Sequence, residues 1–119
     1  MKVNLRATPR ATILDVSGDV DLDSSTDLRR TLLEVLKNTT PPVVLVNLTQ
    51  VPYIDSSGIA TLVEGLKLSQ QVKIPYGLFG LGKNPRSVLE LARLHKVFHI
   101  FETEQEAMEK LGGASSAAG

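Results

Sequence analysis

Val3 and Leu5 alternate with polar neighbours, the period of a half-buried strand. Pro9-Arg10 marks a turn, and Ala11-Thr12-Ile13-Leu14-Asp15-Val16 predicts a second strand, hairpin-paired to the first. Gly18-Asp19-Val20-Asp21 ends it. Asp23-Ser24-Ser25-Thr26 then offers N-cap residues. Leu28, Leu32, Leu33, Val35 and Leu36 follow at helical spacing, with Arg29, Arg30, Glu34 and Lys37 on the opposite face. Asn38 to Pro42 stops this helix. The next run, Val43-Val44-Leu45-Val46-Asn47-Leu48, is apolar except for Asn47. Strands of that kind are buried on both faces. A second helix is predicted from about Ser57 to Gln71, and a fourth strand over Ile74 to Leu81, interrupted by Gly77 and Gly80. Pro85 suits the first turn of a third helix that turns Val88, Leu89, Leu91 and Ala92 inward. Val97 to Phe101 predicts a last short strand. Thr103-Glu104-Gln105-Glu106 reads as a capping box opening a terminal helix through Ala107, Met108 and Leu111.

The resulting order, β-β-α-β-α-β-α-β-α, predicts an α/β fold. Its mixed sheet has about four to five strands, with about four helices mostly on one face. The chain of 119 residues suits one domain, expected over residues 1–111. The small, featureless residues 112–119 are expected to be a disordered tail.

Composition narrows the function. Thirteen basic residues balance thirteen acidic ones, so no broad basic field invites direct contact with nucleic acid. Cysteine is absent, which excludes thiolate chemistry and Cys-based zinc sites and fits a cytoplasmic protein. No apolar run is long enough for membrane insertion, and the first residues lack the apolar core of a signal peptide. His95 and His99 are separated by an expected strand start, so no metal set is evident. Gly80-Leu81-Gly82-Lys83 lacks the spacing of a phosphate loop and reads as a turn. No cofactor is implied.

The segment richest in chemistry is Asp55-Ser56-Ser57-Gly58, between the apolar strand and the second helix. The N–H groups of a first helical turn have no partners within the helix, and the dipole there favours negative charge. Asp and Ser are also preferred N-caps, so a helix start alone accounts for these letters. Two hydroxyls where one cap suffices, at the carboxyl end of a central strand, point further, because ligands bind at such edges in open α/β sheets. Use of a serine as a hydrolase nucleophile fits poorly. No glycine precedes the serines, and no base or orienting group is evident.

Val43 to Ile59, with its Tyr53-Ile54-Asp55-Ser56-Ser57-Gly58-Ile59 core, resembles the strand, loop and [MI]-D-S-[ST]-G-[LI] signature of STAS domains. The likeness is specifically to single-domain bacterial anti-sigma factor antagonists. Gly18-Asp19-Val20-Asp21 is similar to that family's G-[ED]-[LIV]-D element, and Pro85 to Leu91 to the segment opening its third helix. The resemblance covers about residues 1–111. It implies that Ser56, directly after the aspartate, is phosphorylated by a partner anti-sigma factor serine kinase. It also implies that phosphorylation releases the antagonist from the kinase, and that a separate serine phosphatase resets it. Asp21, Asp55, Ser57 and Gly58 are the implied partner-binding residues, Ser57 not itself needing phosphate.

Two departures stand out. Gln71 to Gly77 lacks the paired glycine that many relatives carry, and Leu94-His95-Lys96-Val97-Phe98 replaces a usual glycine-leucine. The alternative reading is a STAS subunit of an ABC lipid-transport complex, whose same loop binds the ATPase subunit. Neither reading fixes an oligomeric state.

Overall fold

The computed structural model describes residues 1–112. Five strands form one sheet in sequential order: β1 (Lys2–Ala7), β2 (Thr12–Ser17), β3 (Val44–Gln50), β4 (Tyr76–Phe79) and β5 (His99–Phe101). β1 pairs antiparallel with β2, and all later pairs are parallel. The crossovers are α1 (Ser25–Asn38), α2 (Ser56–Val72) and α3 (Lys83–Leu91). A short α4 (Glu104–Ala107) continues into a π-helical turn at Met108–Gly112. The element order and the mixed α/β sheet are those the sequence predicts.

β3 is the centre of this arrangement. Alternate residues of a strand face opposite sides. Val44, Val46 and Leu48 enter the larger core with Leu28, Leu32 and Leu36 of α1, Leu62 and Leu66 of α2 and Leu89 of α3. Val43 and Leu45 enter a smaller core with Ala11, Ile13, Phe79 and Ala107. α4 therefore covers the opposite face from the other three helices. A strand sandwiched between helices cannot carry the alternation of a half-solvated one, which explains its unbroken apolar run.

Some boundaries differ from expectation. β4 is shorter than the predicted Ile74–Leu81 because Lys73 (φ 61°) ends α2 in the left-handed region and Gly80 (φ 74°) turns the chain out of the sheet. Leu91 and Ala92, expected inward, face solvent, and Leu91 is 85% exposed. α3 ends at Leu91, and Arg93 (φ 59°) redirects the chain before another turn could bury that side chain. Val97 is likewise exposed, ahead of β5. The capping box at Thr103 forms by half. Thr103 accepts from the Glu106 N–H, whereas the Glu106 carboxylate takes the N–H of Glu102. The tail expected beyond Gly112 lies outside the described residues.

Candidate functional site

Three chain segments meet at the carboxyl ends of β2, β3 and β4. An isolated parallel bridge joins Val20 to Ile54. The Val20 N–H donates to the Tyr53 carbonyl (2.9 Å), and the Asp55 N–H donates to the Val20 carbonyl (3.1 Å). From β4's side, the Asn84 side-chain oxygen accepts the Ile54 N–H (3.0 Å). Val20 and Ile54 are fully buried, so their chain neighbours Asp19, Asp21, Tyr53 and Asp55 are directed away from the core. Two motifs some thirty residues apart in sequence thus become one surface.

Asp55 is the N-cap of α2. Its Oδ1 accepts from the N–H groups of Ser57 (2.9 Å) and Gly58 (3.2 Å), and from the Ser57 hydroxyl (2.5 Å). The Ser57 hydroxyl, followed by the backbone N–H groups of Gly58, Ser57 and Leu22, holds the Asp55 carboxyl below its usual pKa. Ser57 is half-buried and committed to the cap, whereas Ser56 is exposed at the first helical position. The two serines, equivalent as letters, are therefore distinct in access. Gly58 is needed for fit: a Cβ there would lie 2.5 Å from Ile54 Cγ1 and 2.8 Å from Val20 Cγ1. Only a residue without a side chain lets the first turn of α2 sit against the bridge.

Asp21 is less free than the sequence suggests. Its Oδ1 accepts from the Ser24 N–H and hydroxyl, both at 3.0 Å, and its carbonyl accepts the Ser25 N–H (2.8 Å). The Ser24 contacts lower its pKa, while Asp55 pushes it the other way. The expected cap of α1 is replaced by this arrangement: Ser24 turns back to Asp21 and makes no side-chain bond into the helix. Asp21 is thus a structural turn residue that also faces Asp55.

Sequence reasoning missed Asn84. Its oxygen fixes the loop from the first turn of α3, and a tertiary bond of this kind leaves no local signature. Two cavities lie at the opposite end of the parallel strands. One, of about 160 Å³, is lined by Leu66, Ser69, Tyr76 and His99 among others. The other, of about 380 Å³, lies among Leu5, Thr12, Val35 and Pro41. Neither touches Ser56. Among the described residues no group of three potential metal ligands occurs, no buried side-chain polar atom lacks a partner, and no helix is long and apolar enough to cross a membrane.

A family model described as "STAS domain" matches residues 2–107. The chain is 28% identical over 102 residues to "Anti-sigma-F factor antagonist RsfB" of Mycobacterium tuberculosis, covering 85% of this chain and 81% of that one. The fold matches an anti-sigma factor antagonist from Mycobacterium paratuberculosis with a TM-score of 0.82 at 20% identity, over 92% of each chain. It also matches SpoIIAA of Bacillus in its phosphorylated form, with a TM-score of 0.72 at 17% identity, over 92% of this chain and 98% of that one. The chain belongs to the STAS domain family.

Proposed function

We propose that this protein is an anti-sigma factor antagonist, a binding module and not an enzyme. It binds an anti-sigma factor serine kinase through the surface around Asp21, Asp55, Ser57 and Gly58. The kinase phosphorylates Ser56, the modified protein lets go, and a serine phosphatase restores it. Sigma-factor-dependent transcription in the cytoplasm follows the balance of the two forms. The observation that carries this reading is the asymmetry of the serines: Ser57 gives its hydroxyl to Asp55, and Ser56 stands exposed at the start of α2. The naming of RsfB and the phosphorylated form of SpoIIAA support it.

The physics of the loop agrees. A phosphate adds about −1.5 to −2 charges at neutral pH. At the N-terminus of a 17-residue helix the fold tolerates that charge. Against acidic groups of a docked partner it is repulsive, and like-charge juxtaposition costs several kcal/mol. The modification then breaks an interface and leaves the domain folded.

The test has two parts. The serine kinase captured from the source organism's lysate is incubated with the protein and ATP, and the phosphosite is read by mass spectrometry. Phosphate on Ser56 is expected. Ser56→Ala should fold, bind and stay bound in ATP, Ser56→Asp should fold and bind poorly, and Ser57→Ala should keep phosphorylation. Phosphate on Ser57 alone would move the site by one residue. No phosphate, with tight binding to an ABC ATPase, would replace the reading by the transport-subunit alternative.

A further inference from the structure

Leu22 is 74% exposed, although it sits in one of the most firmly bonded turns of the molecule. The Asp21–Ser24 bonds close that turn, and the Leu22 N–H is turned to the Asp55 carboxylate. An exposed leucine on a floppy loop is unremarked surface; one held out by a rigid turn is presented. Tyr53, 43% exposed, is also directed outward at this edge, one residue ahead of Ile54 in the bridge. These two side chains flank Asp21 and Asp55, with Ser56 following directly.

The charge around them is mostly of one sign. Residues 18–28 carry Asp19, Asp21, Asp23 and Asp27 and no base, and residues 51–58 carry Asp55 and no base. The first base of α1, Arg29, is bonded to Glu64 (2.6 Å), and Arg86 of α3 to Glu102 (3.0 Å). The third loop at this edge adds Lys83. An apolar pair ringed by carboxylates fits a partner face with an apolar notch bordered by guanidinium or ammonium groups. Interfaces concentrate their energy in such central apolar and aromatic anchors, with charges at the rim.

We infer that Leu22, with Tyr53 on the neighbouring segment of the same edge, is the apolar anchor that the Ser56 kinase seats in a notch rimmed by basic side chains. This rests on the function proposed above and deepens it. It assigns contact energy to residues outside the signature and leaves the phosphoacceptor loop to act as the release. A phosphate on Ser56 would then sit at the border of the seated anchor, where the partner's fit is tightest.

The test titrates purified kinase against the full chain by calorimetry, without ATP. Leu22→Ser is expected to weaken binding about thirtyfold or more, the range that marks an interface hot spot. Its melting temperature should stay at the wild-type value, because the side chain packs on nothing in the free protein. Leu22→Met should restore most of the affinity. Leu91→Ser, which removes an equally exposed leucine at the far end of α3, should bind as wild type does. Raising the salt concentration should weaken wild type and Leu22→Ser alike, since the rim charges remain in both. If Leu22→Ser binds the kinase with wild-type affinity while Ser56 is still phosphorylated, the anchor is wrong and the proposed function stands. If Leu22→Ser loses binding but Ser56 of the wild-type chain takes no phosphate from that protein and ATP, the anchor is a contact for a partner that is not a Ser56 kinase, and the kinase assignment falls. If Leu22→Ser instead turns a dimer into a monomer, the occupant is a second copy of this chain and the inference is overturned.

Discussion

The cavities at the amino ends of the parallel strands are lined by side chains such as Leu5, Val35, Pro41 and Tyr76. The carboxyl ends carry Asp21, Asp55, Ser56 and the exposed Leu22 on segments bonded to one another. One end offers concavities lined by apolar and neutral polar side chains, and the other offers carboxylates and hydroxyls on an outward-facing surface. A small-molecule enzyme needs the two together, because a pocket excludes water while polar groups converge on the reacting atom. A docking module needs only the second. The carboxyl-end surface has what the docking role proposed above requires.

Four substitutions test that contrast. Gly58→Val should have the largest effect, destabilising the fold by about 1–3 kcal/mol through overpacking against Ile54 and Val20, as measured by denaturant unfolding. If Gly58→Val is as stable as wild type, the carboxyl edge is looser than the bridge implies. Asn84→Ala comes next. It leaves the Ile54 N–H without its side-chain partner, at a cost of about 1–2 kcal/mol, and hydrogen exchange at Ile54 should accelerate. Unchanged exchange would mean that the third segment does not fix the loop.

Asp55→Asn should show a smaller, pH-dependent loss. The Asp55 carboxyl has its pKa lowered in the folded protein, so its stabilisation is present above the unfolded value of about 3.9. It disappears as pH falls through the lowered native value. Wild type should thus exceed Asp55→Asn in melting temperature at neutral pH, and the two curves should converge as the solution is acidified below about pH 4. Curves that remain parallel down to strongly acidic pH would remove Asp55 as a charged cap. Leu5→Ser, in the larger amino-end cavity, should have the smallest effect, within about 0.5 kcal/mol, with kinase affinity unchanged. A marked fall in affinity would break the contrast by placing partner contacts at both ends.

What was legible in the sequence was local. The apolar run Val43–Leu48, interrupted only by Asn47, marks the sandwiched position of β3, and Asp55 ahead of a helical pattern marks the start of α2. Ser56 and Asp21 were singled out by the resemblance of Asp55-Ser56-Ser57-Gly58 and Gly18-Asp19-Val20-Asp21 to STAS domains. The illegible part was tertiary. The Val20–Ile54 bridge joins segments with a whole helix between them, and Asn84 acts thirty residues away from the loop it holds. Leu91 has the spacing of a core residue, yet the helix ends under it, and a pattern of apolar positions does not say where the backbone leaves a layer. Ser56 and Ser57 differ only through the direction of one hydroxyl, which depends on the cap geometry.

The sequential strand order bears on how the chain is made. Each strand after the first pairs with the one that precedes it in sequence. A ribosome releases the chain from its amino end, so the β1–β2 pair emerges before β3 has left the tunnel. Each newly emerged strand then finds its neighbour already in place, and no unpaired central edge waits for a later segment. The exposed edge moves outward one strand at a time until β5 closes the series.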